Sequence, residues 1–323
     1  MIEILAPAGD LISLKSAIAS DTDAVYLGLS AFNARIKAEN FTTENIKDTV
    51  DYCHLFGVKV YVTINLAVKE SEKEELKSII VACGQANVDA FIITDMSALE
   101  LAKEFAPKVR LHASTQFGVC NAESAKFAES LGFSRVVLSR EVTIEEIKKI
   151  KAETNLEIEY FVHGALCVCI SGQCYMSSVF GGRSGNRGMC AQPCRMQYSL
   201  GGRMDDYPMS LKDNCLVDRL RELEDAGVAC LKIEGRMKRP EYTAIVTKIY
   251  SKALKEQRQP SAEEMETLEK AFSRQGFTQG YFNGDKKDMF GRREEPDKDT
   301  EKLFTLARKG YSEGELRRVP VHF

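Results

Sequence analysis

Short apolar runs rich in β-branched residues recur along the chain at the spacing of alternating strands and helices. They occupy 3–7, 24–29, 58–65, 90–95, 109–114, 135–139, 157–164 and 230–235. Most are continuous rather than alternating, the pattern of parallel strands buried on both faces. The amphipathic segments between them carry helix-start signals. Asp10 precedes LISLKSAIAS, Thr42 or Thr43 precedes ENIKDTVDYCHLF, and Ser97 precedes ALELAKEF. Asn121 precedes AESAKFAESLG, and Thr143 precedes IEEIKKIKAE with acids in its first turn. Gly57, Gly132 and Gly227 each stand between a helix and the next strand, where a left-handed cap is wanted. Eight strands alternating with helices predict an α/β fold, a (β/α)8 TIM-barrel-like domain. A doubly wound sheet is the alternative, but no glycine-rich dinucleotide turn follows the first strand.

The regularity breaks once, between the seventh run and the eighth. Only 213–228 there reads as a barrel helix, which leaves 165–212 as an insertion. It leaves the C-terminal end of a strand, the face on which barrel enzymes build their sites. The barrel is expected over 1–258, closed by a helix at 239–257, with a further helix at 262–274. Residues 259–323 form a C-terminal extension that turns polar from about 275. Its last residues, RRVPVHF, read as the first strand of a further domain, which is expected beyond residue 323.

A hydrophobic content of 44% and a charged content of 28% are those of a soluble globular protein. No apolar run is long enough to span a membrane, and MIEILAPAGD has no secretory pattern. A cytoplasmic protein is expected, so its ten cysteines read as thiols or metal ligands rather than disulfides. The net charge of −3 does not suggest a nucleic-acid binder, but charge is unevenly placed. Residues 160–204 carry Arg183, Arg187, Arg195 and Arg203 and no Asp, Glu or Lys. Such a surface suits phosphates or carboxylates; the plainer alternative is a loop whose arginines stay solvated.

Cys167, Cys174, Cys190 and Cys194 lie in the same stretch, separated by six, fifteen and three residues. Structural zinc usually uses two close pairs, and only Cys190 and Cys194 make one. An iron–sulfur cluster tolerates irregular spacing and is favoured over zinc or unligated thiols. Cys169 competes with Cys167 if the chain stays extended between them. Cys215 and Cys230 are spare thiols, whereas Cys53, Cys83 and Cys120 sit in helical segments as packing residues.

Glu159, Phe161, Gly164, Ala165, Leu166 and Cys167, followed after four residues by Gly172, Cys174, Met176 and Ser177, resemble the diagnostic motif of peptidase family U32, the collagenase-like proteins. The resemblance extends through LAPAGD at 5–10, RSGNRGMCAQPCR at 183–195, SLKD at 210–213 and KIEGRMK at 232–238, covering most of residues 1–260. It implies a barrel-like domain with a 4Fe-4S cluster, by position on Cys167, Cys174, Cys190 and Cys194, with Cys169 outside the set. It also implies RNA hydroxylation without oxygen, giving 5-hydroxycytidine in large-subunit rRNA or 5-hydroxyuridine at the tRNA wobble position. Prephenate is the implied metabolite, and a further pair of relatives hydroxylates the ubiquinone ring. The compact GGRSGNRGMCAQPCR and the expected further domain favour the rRNA type.

Hydroxylation asks for a redox centre, a pocket for a small dianion, an RNA surface and an electron-transfer partner. Polar residues at strand C-termini are the pocket candidates: Asn33, Arg35, Asn65, Asp95, Ser114, Gln116, Arg140, Glu141, Glu234 and Arg236. Arginine suits bidentate carboxylate recognition, so Arg35, Arg140 and Arg236 are candidates for a prephenate-like ligand. Arg140, Glu141, His163 and Glu234 are the catalytic candidates, although each also has a reading as an ordinary structural group. Arg183 and Arg187 are candidates for RNA phosphates, with Tyr175, Phe180 and Tyr198 for base stacking. A protease would need a nucleophile with a base or a metal with water; the chain has four histidines and no HExxH. A scaffold with a purely structural cluster is the third class.

Overall fold

The computed structural model describes residues 2–36, 38–201, 203–292 and 298–313. Eight parallel strands follow the expected runs: Glu3–Pro7, Ala24–Gly28, Lys59–Ile64, Ala90–Ile93, Arg110–Ala113, Arg135–Val137, Glu157–Ala165 and Val228–Ile233. Each pairs with its predecessor, and the eighth also pairs with the first through Glu3 opposite Cys230 and Ile4 opposite Leu231. That closure makes a (β/α)8 barrel and excludes the open sheet. Helices cover its outside, packing on a continuous apolar layer that includes Leu14, Val50, Ile80, Ala102, Ile147 and Val246.

Strand parity sorts the interior from the exterior. Leu5, Tyr26, Tyr61, Ile92, Val137, Phe161 and Cys230 form a separate cluster inside the barrel. Beneath it, Arg135 bonds Glu3 at 2.7 Å and Glu157 at 2.7 Å, while Lys59 and the Tyr61 hydroxyl also hold Glu3. Burial pushes the Glu3 carboxyl up, but Arg135 and Lys59 outweigh it and hold it below the usual carboxylate range.

Helix starts follow the side chains that can cap them. Asp10, Asn121 and Thr143 accept from the backbone N–H three residues on. Three starts differ from expectation. The helix expected over 213–228 occupies only Leu220–Asp225, because Asp213–Cys215 is drawn into a strand against the end of the seventh strand. The cap of Met96–Phe105 is Asp95, which accepts from Ser97 N–H at 2.8 Å and Val68 N–H at 3.0 Å. The helix after the second strand begins at Ile46, because Asn45 turns its side chain back to Thr42 N–H. A helix at Lys298–Glu313 was not foreseen in the polar extension. The expected RRVPVHF strand lies outside the described residues.

The segment after the seventh strand carries a short helix, Met176–Val179, two single-turn 3-10 helices at Gly185–Arg187 and Pro193–Arg195, and a hairpin, Tyr198–Leu200 with Arg203–Asp206. It returns through Asp213–Cys215, which pairs antiparallel with the end of the seventh strand and parallel with Phe277–Thr278. No helix among the described residues is long and apolar enough to cross a membrane.

Candidate active site at the barrel mouth

A cavity of about 890 Å³ opens at the C-terminal end of the barrel, between the strand ends, the cysteine-bearing segment and the turn at 272–275. Its wall brings together Arg35, Arg140, Glu234 and Arg236 with Cys167, Cys174, Cys190 and Cys194. Residues distant in sequence thus meet on the face that the barrel topology marks for chemistry.

The cations there are unequal. Arg35 is spoken for: its guanidinium pairs with Glu234 at 3.0 Å and bonds the Ala34 carbonyl. Burial raises the Glu234 carboxyl, but Arg35, Arg140 and Lys238 outweigh it and keep Glu234 ionised below the ordinary range. Among the described residues Arg236 makes no ion pair. It is buried and donates there to neutral oxygens, Thr63 Oγ1 at 3.0 Å and Asn33 Oδ1 at 3.3 Å. Burial pushes its guanidinium down to about 10. Arg140 lies 4.1 Å above the Phe161 ring, and its buried Nε has no partner. Two guanidiniums facing a cavity, neither ion-paired among the described residues, have the chemistry to receive an anion.

Other candidates stand elsewhere. Glu141 does not line the cavity; it accepts from Ser171 N–H at 3.1 Å and Ser171 Oγ at 3.0 Å, fastening the cysteine loop to the barrel. His163 is turned outward. A bulge in its strand sets Lys232 opposite Phe161 but Ile233 opposite His163, so inside and outside exchange between Phe161 and His163. Its ring packs among Tyr242, Tyr250 and Phe277, with Nδ1 3.3 Å from Tyr250 Oη. Burial lowers its pKa to about 3, so it is neutral. No histidine lines the cavity among the described residues. Asn33 supports the site from behind through Arg35 N–H and Arg236, and Asp95 is the helix cap. Asn65, Ser114 and Gln116 do line it.

Arg187 is tied to Glu72 and the Ala67 carbonyl, joining the segment to the loop after the third strand. Arg183 has no side-chain partner among the described residues. Tyr175 and Phe180 are exposed at 61% and 67%, while Tyr198 donates to the Pro193 carbonyl.

The family model for peptidase family U32 matches residues 9–290. The chain belongs to that family. It is 42% identical to a 23S rRNA 5-hydroxycytidine synthase of Escherichia coli, over 78% of this chain and 39% of that protein. It is 37% identical to tRNA hydroxylation protein P1 of Bacillus subtilis, over 78% of this chain and 63% of that one. It is 33% identical to a collagenase of Porphyromonas gingivalis, over 99% and 84%. The chain therefore spans less than two thirds of either RNA-modification relative.

In this U32 chain all four cysteines are free thiols. Cys190 Sγ accepts from Gln192 N–H at 3.4 Å and faces Ser177 Oγ at 3.9 Å, donors suited to a thiolate. Burial raises the Cys194 thiol; Arg195 opposes this, while Cys167, Cys190 and Cys174 add to it. Arg195 bonds the Leu166 and Leu211 carbonyls and so braces both ends of the segment. Among the described residues no three His, Cys, Asp or Glu groups converge closely enough to grip one metal ion. Four thiols from one segment, with an N–H and an O–H aimed at the sulfur of Cys190, are the donor type that holds a thiolate-ligated cluster.

Lys232, Tyr26, Thr63 and Phe161 also line the cavity and were not singled out from sequence. Strand alternation carried the signal for one of them: Lys232 is two residues before Glu234 and must share its face.

Proposed function

We infer that this chain is the barrel of an iron–sulfur-dependent RNA nucleoside hydroxylase, with rRNA cytidine as the first candidate substrate and tRNA wobble uridine the second. Cys167, Cys174, Cys190 and Cys194 would hold a 4Fe-4S cluster, and Arg236 with Arg140 would hold a small dianion such as prephenate. The observation that carries the reading is the single cavity onto which open both the four thiols and two guanidiniums that have no ion-pair partner among the described residues. The RNA-hydroxylation names of two relatives support the substrate class. The same reading makes the protein cytoplasmic, served by an electron-transfer partner and working without oxygen.

When bound, the cluster would supply one-electron chemistry beside the cavity. The protein's own groups orient and exclude: Arg236 and Arg140 take carboxylates, Glu234 holds Arg35 in place, and Phe161 backs Arg140. Proteolysis is the weaker reading, because no histidine among the described residues reaches the cavity to serve as a base.

Anaerobic purification with iron and sulfide quantitation tests the cluster, and nucleoside mass spectrometry of RNA from cells lacking or regaining the protein tests the reaction. Alanine at any of the four cysteines is expected to remove iron and hydroxylation together. Full iron retention in all four single variants, or an unchanged nucleoside profile, would refute the assignment. Alanine at Cys169 is expected to spare both.

A further inference from the structure

Lys232 occupies an unusual place. It projects inward from the closing strand, is almost fully buried, and forms part of the cavity wall below the two guanidiniums. Its Nζ lies 2.6 Å from Glu159 Oε1 and 4.3 Å from the centre of the Tyr26 ring, with Phe161 on another side at 5.4 Å. Tyr26 is itself fixed, donating to the Ile233 carbonyl at 2.9 Å. Burial lowers the Lys232 ammonium below the ordinary lysine range even though Glu159 opposes the shift.

Glu159 is shared. Its other oxygen stands 3.5 Å from Arg135. Were Lys232 to pass its proton to Glu159, both groups would be neutral and Arg135 would still hold Glu3 and Glu157, so the transfer orphans no charge. A protonated imine on Nζ would restore the cation to the same seat, facing Glu159 and the Tyr26 ring. A purely structural ion pair needs neither an opening onto a cavity nor anion receptors above it.

We propose that Lys232 is a nucleophile that forms an imine with a 2-oxo carboxylate bound at the barrel mouth. The carboxylate lies on Arg236 and Arg140, as in the reading of the site above on which this inference rests. Lys232 passes a proton to Glu159, and the neutral amine attacks the ketone carbon to give a carbinolamine. Glu159 returns the proton to the carbinolamine oxygen, which leaves as water, and the C=N bond forms without any net oxidation or reduction. The product is an electron-withdrawing iminium at the former carbonyl carbon.

The test is reductive trapping of the full chain with pyruvate as probe and cyanoborohydride as reductant, read by intact mass and peptide mapping. Lys232 is expected to be modified about tenfold faster than any other lysine, as a desolvated amine beside a proton acceptor should be. Malonate, which offers carboxylates but no ketone, should slow the modification by competing for the arginines. Lys232→Arg should lose the adduct and keep its unfolding midpoint. An adduct spread evenly over surface lysines, or none on the Lys232 peptide of the wild-type chain, would overturn the proposal without needing the variant to fold. Trapping uses neither RNA nor iron, so its failure and that of the hydroxylase reading are separable: RNA hydroxylation without trapping removes only the imine, and trapping without hydroxylation removes only the RNA substrate.

Discussion

The two ends of the barrel treat buried arginine in opposite ways. At the N-terminal end Arg135 is buried against Glu3 and Glu157, each at 2.7 Å, and Lys59 closes the group. At the C-terminal end Arg236 is just as buried and, among the described residues, has a threonine hydroxyl and an asparagine carbonyl as its partners. A guanidinium surrounded by carboxylates has its charge answered within the fold. One held by neutral oxygens beside a cavity is stabilised for something that arrives later. The difference separates a floor that holds the barrel together from a mouth equipped to bind.

Replacing both arginines with methionine would break or sharpen that contrast most strongly. Arg135→Met leaves Glu3 and part of Glu157 buried without their main cation and is expected to cost roughly 3–5 kcal/mol in chemical denaturation. Arg236→Met strands no carboxylate, so stability should change by less than about 1 kcal/mol. Its effect should appear instead in calorimetric titration with malonate, as a loss of roughly 10- to 100-fold in affinity, the worth of a charge-assisted bond. Equal destabilisation by both substitutions would make the mouth another structural layer.

The floor and mouth were not equally legible in the sequence. The eight strands were visible because burial on both faces leaves continuous β-branched runs, and closure followed from their number. The arginines at strand ends were visible as types, but their partners were not. Nothing local shows that Arg35 meets Glu234, 199 residues away, while Arg236 meets no acid among the described residues. His163 shows a second limit. Parity along its strand points it inward, and a single bulge, set by pairing with a strand 70 residues later, turns it out. Arg187 read as an RNA contact because Glu72, which holds it, lies far back in the chain. The cysteines were legible as a dense set in one segment, and the path of that segment over the barrel is what puts four of them on the wall of one cavity.

His163 gives the next prediction, one that separates a catalytic from a structural role. Its folded pKa is about 3, against an ordinary value of 6.5, because burial disfavours the imidazolium. Between those values the unfolded chain binds the proton and the folded chain does not. Stability therefore falls as pH drops through that window, by up to about 1.4 kcal/mol per pH unit. His163→Phe should reduce the slope by that amount over the same range in urea melts at successive pH values. A slope remains from His112, which is also buried and well below its ordinary value. Tyr250 keeps its bonds to the Val162 carbonyl and Leu216 N–H, so neutral-pH stability should hold within about 1 kcal/mol. The proposed RNA hydroxylation should persist. An abolished reaction in a stably folded His163→Phe chain would return His163 to the chemistry despite its outward setting.

The smallest effect belongs to the fastening between the two regions. Ser171 is buried where the cysteine loop touches the barrel, donating to Glu141 while its Oγ accepts from Arg140 N–H at 3.1 Å. The next residue must be small, because a Cβ on Gly172 would stand 2.6 Å from the Gln116 carbonyl. Glu141→Gln keeps the shape but replaces a charge-assisted pair of bonds with weaker ones, a local loss of about 1 kcal/mol. Since the barrel strands make none of these contacts, the loss should appear as faster hydrogen exchange across 167–174 with the global unfolding midpoint unchanged. A matching fall in the midpoint would mean that the loop and barrel unfold as one unit, and that the mouth is held by the same cooperative network as the floor.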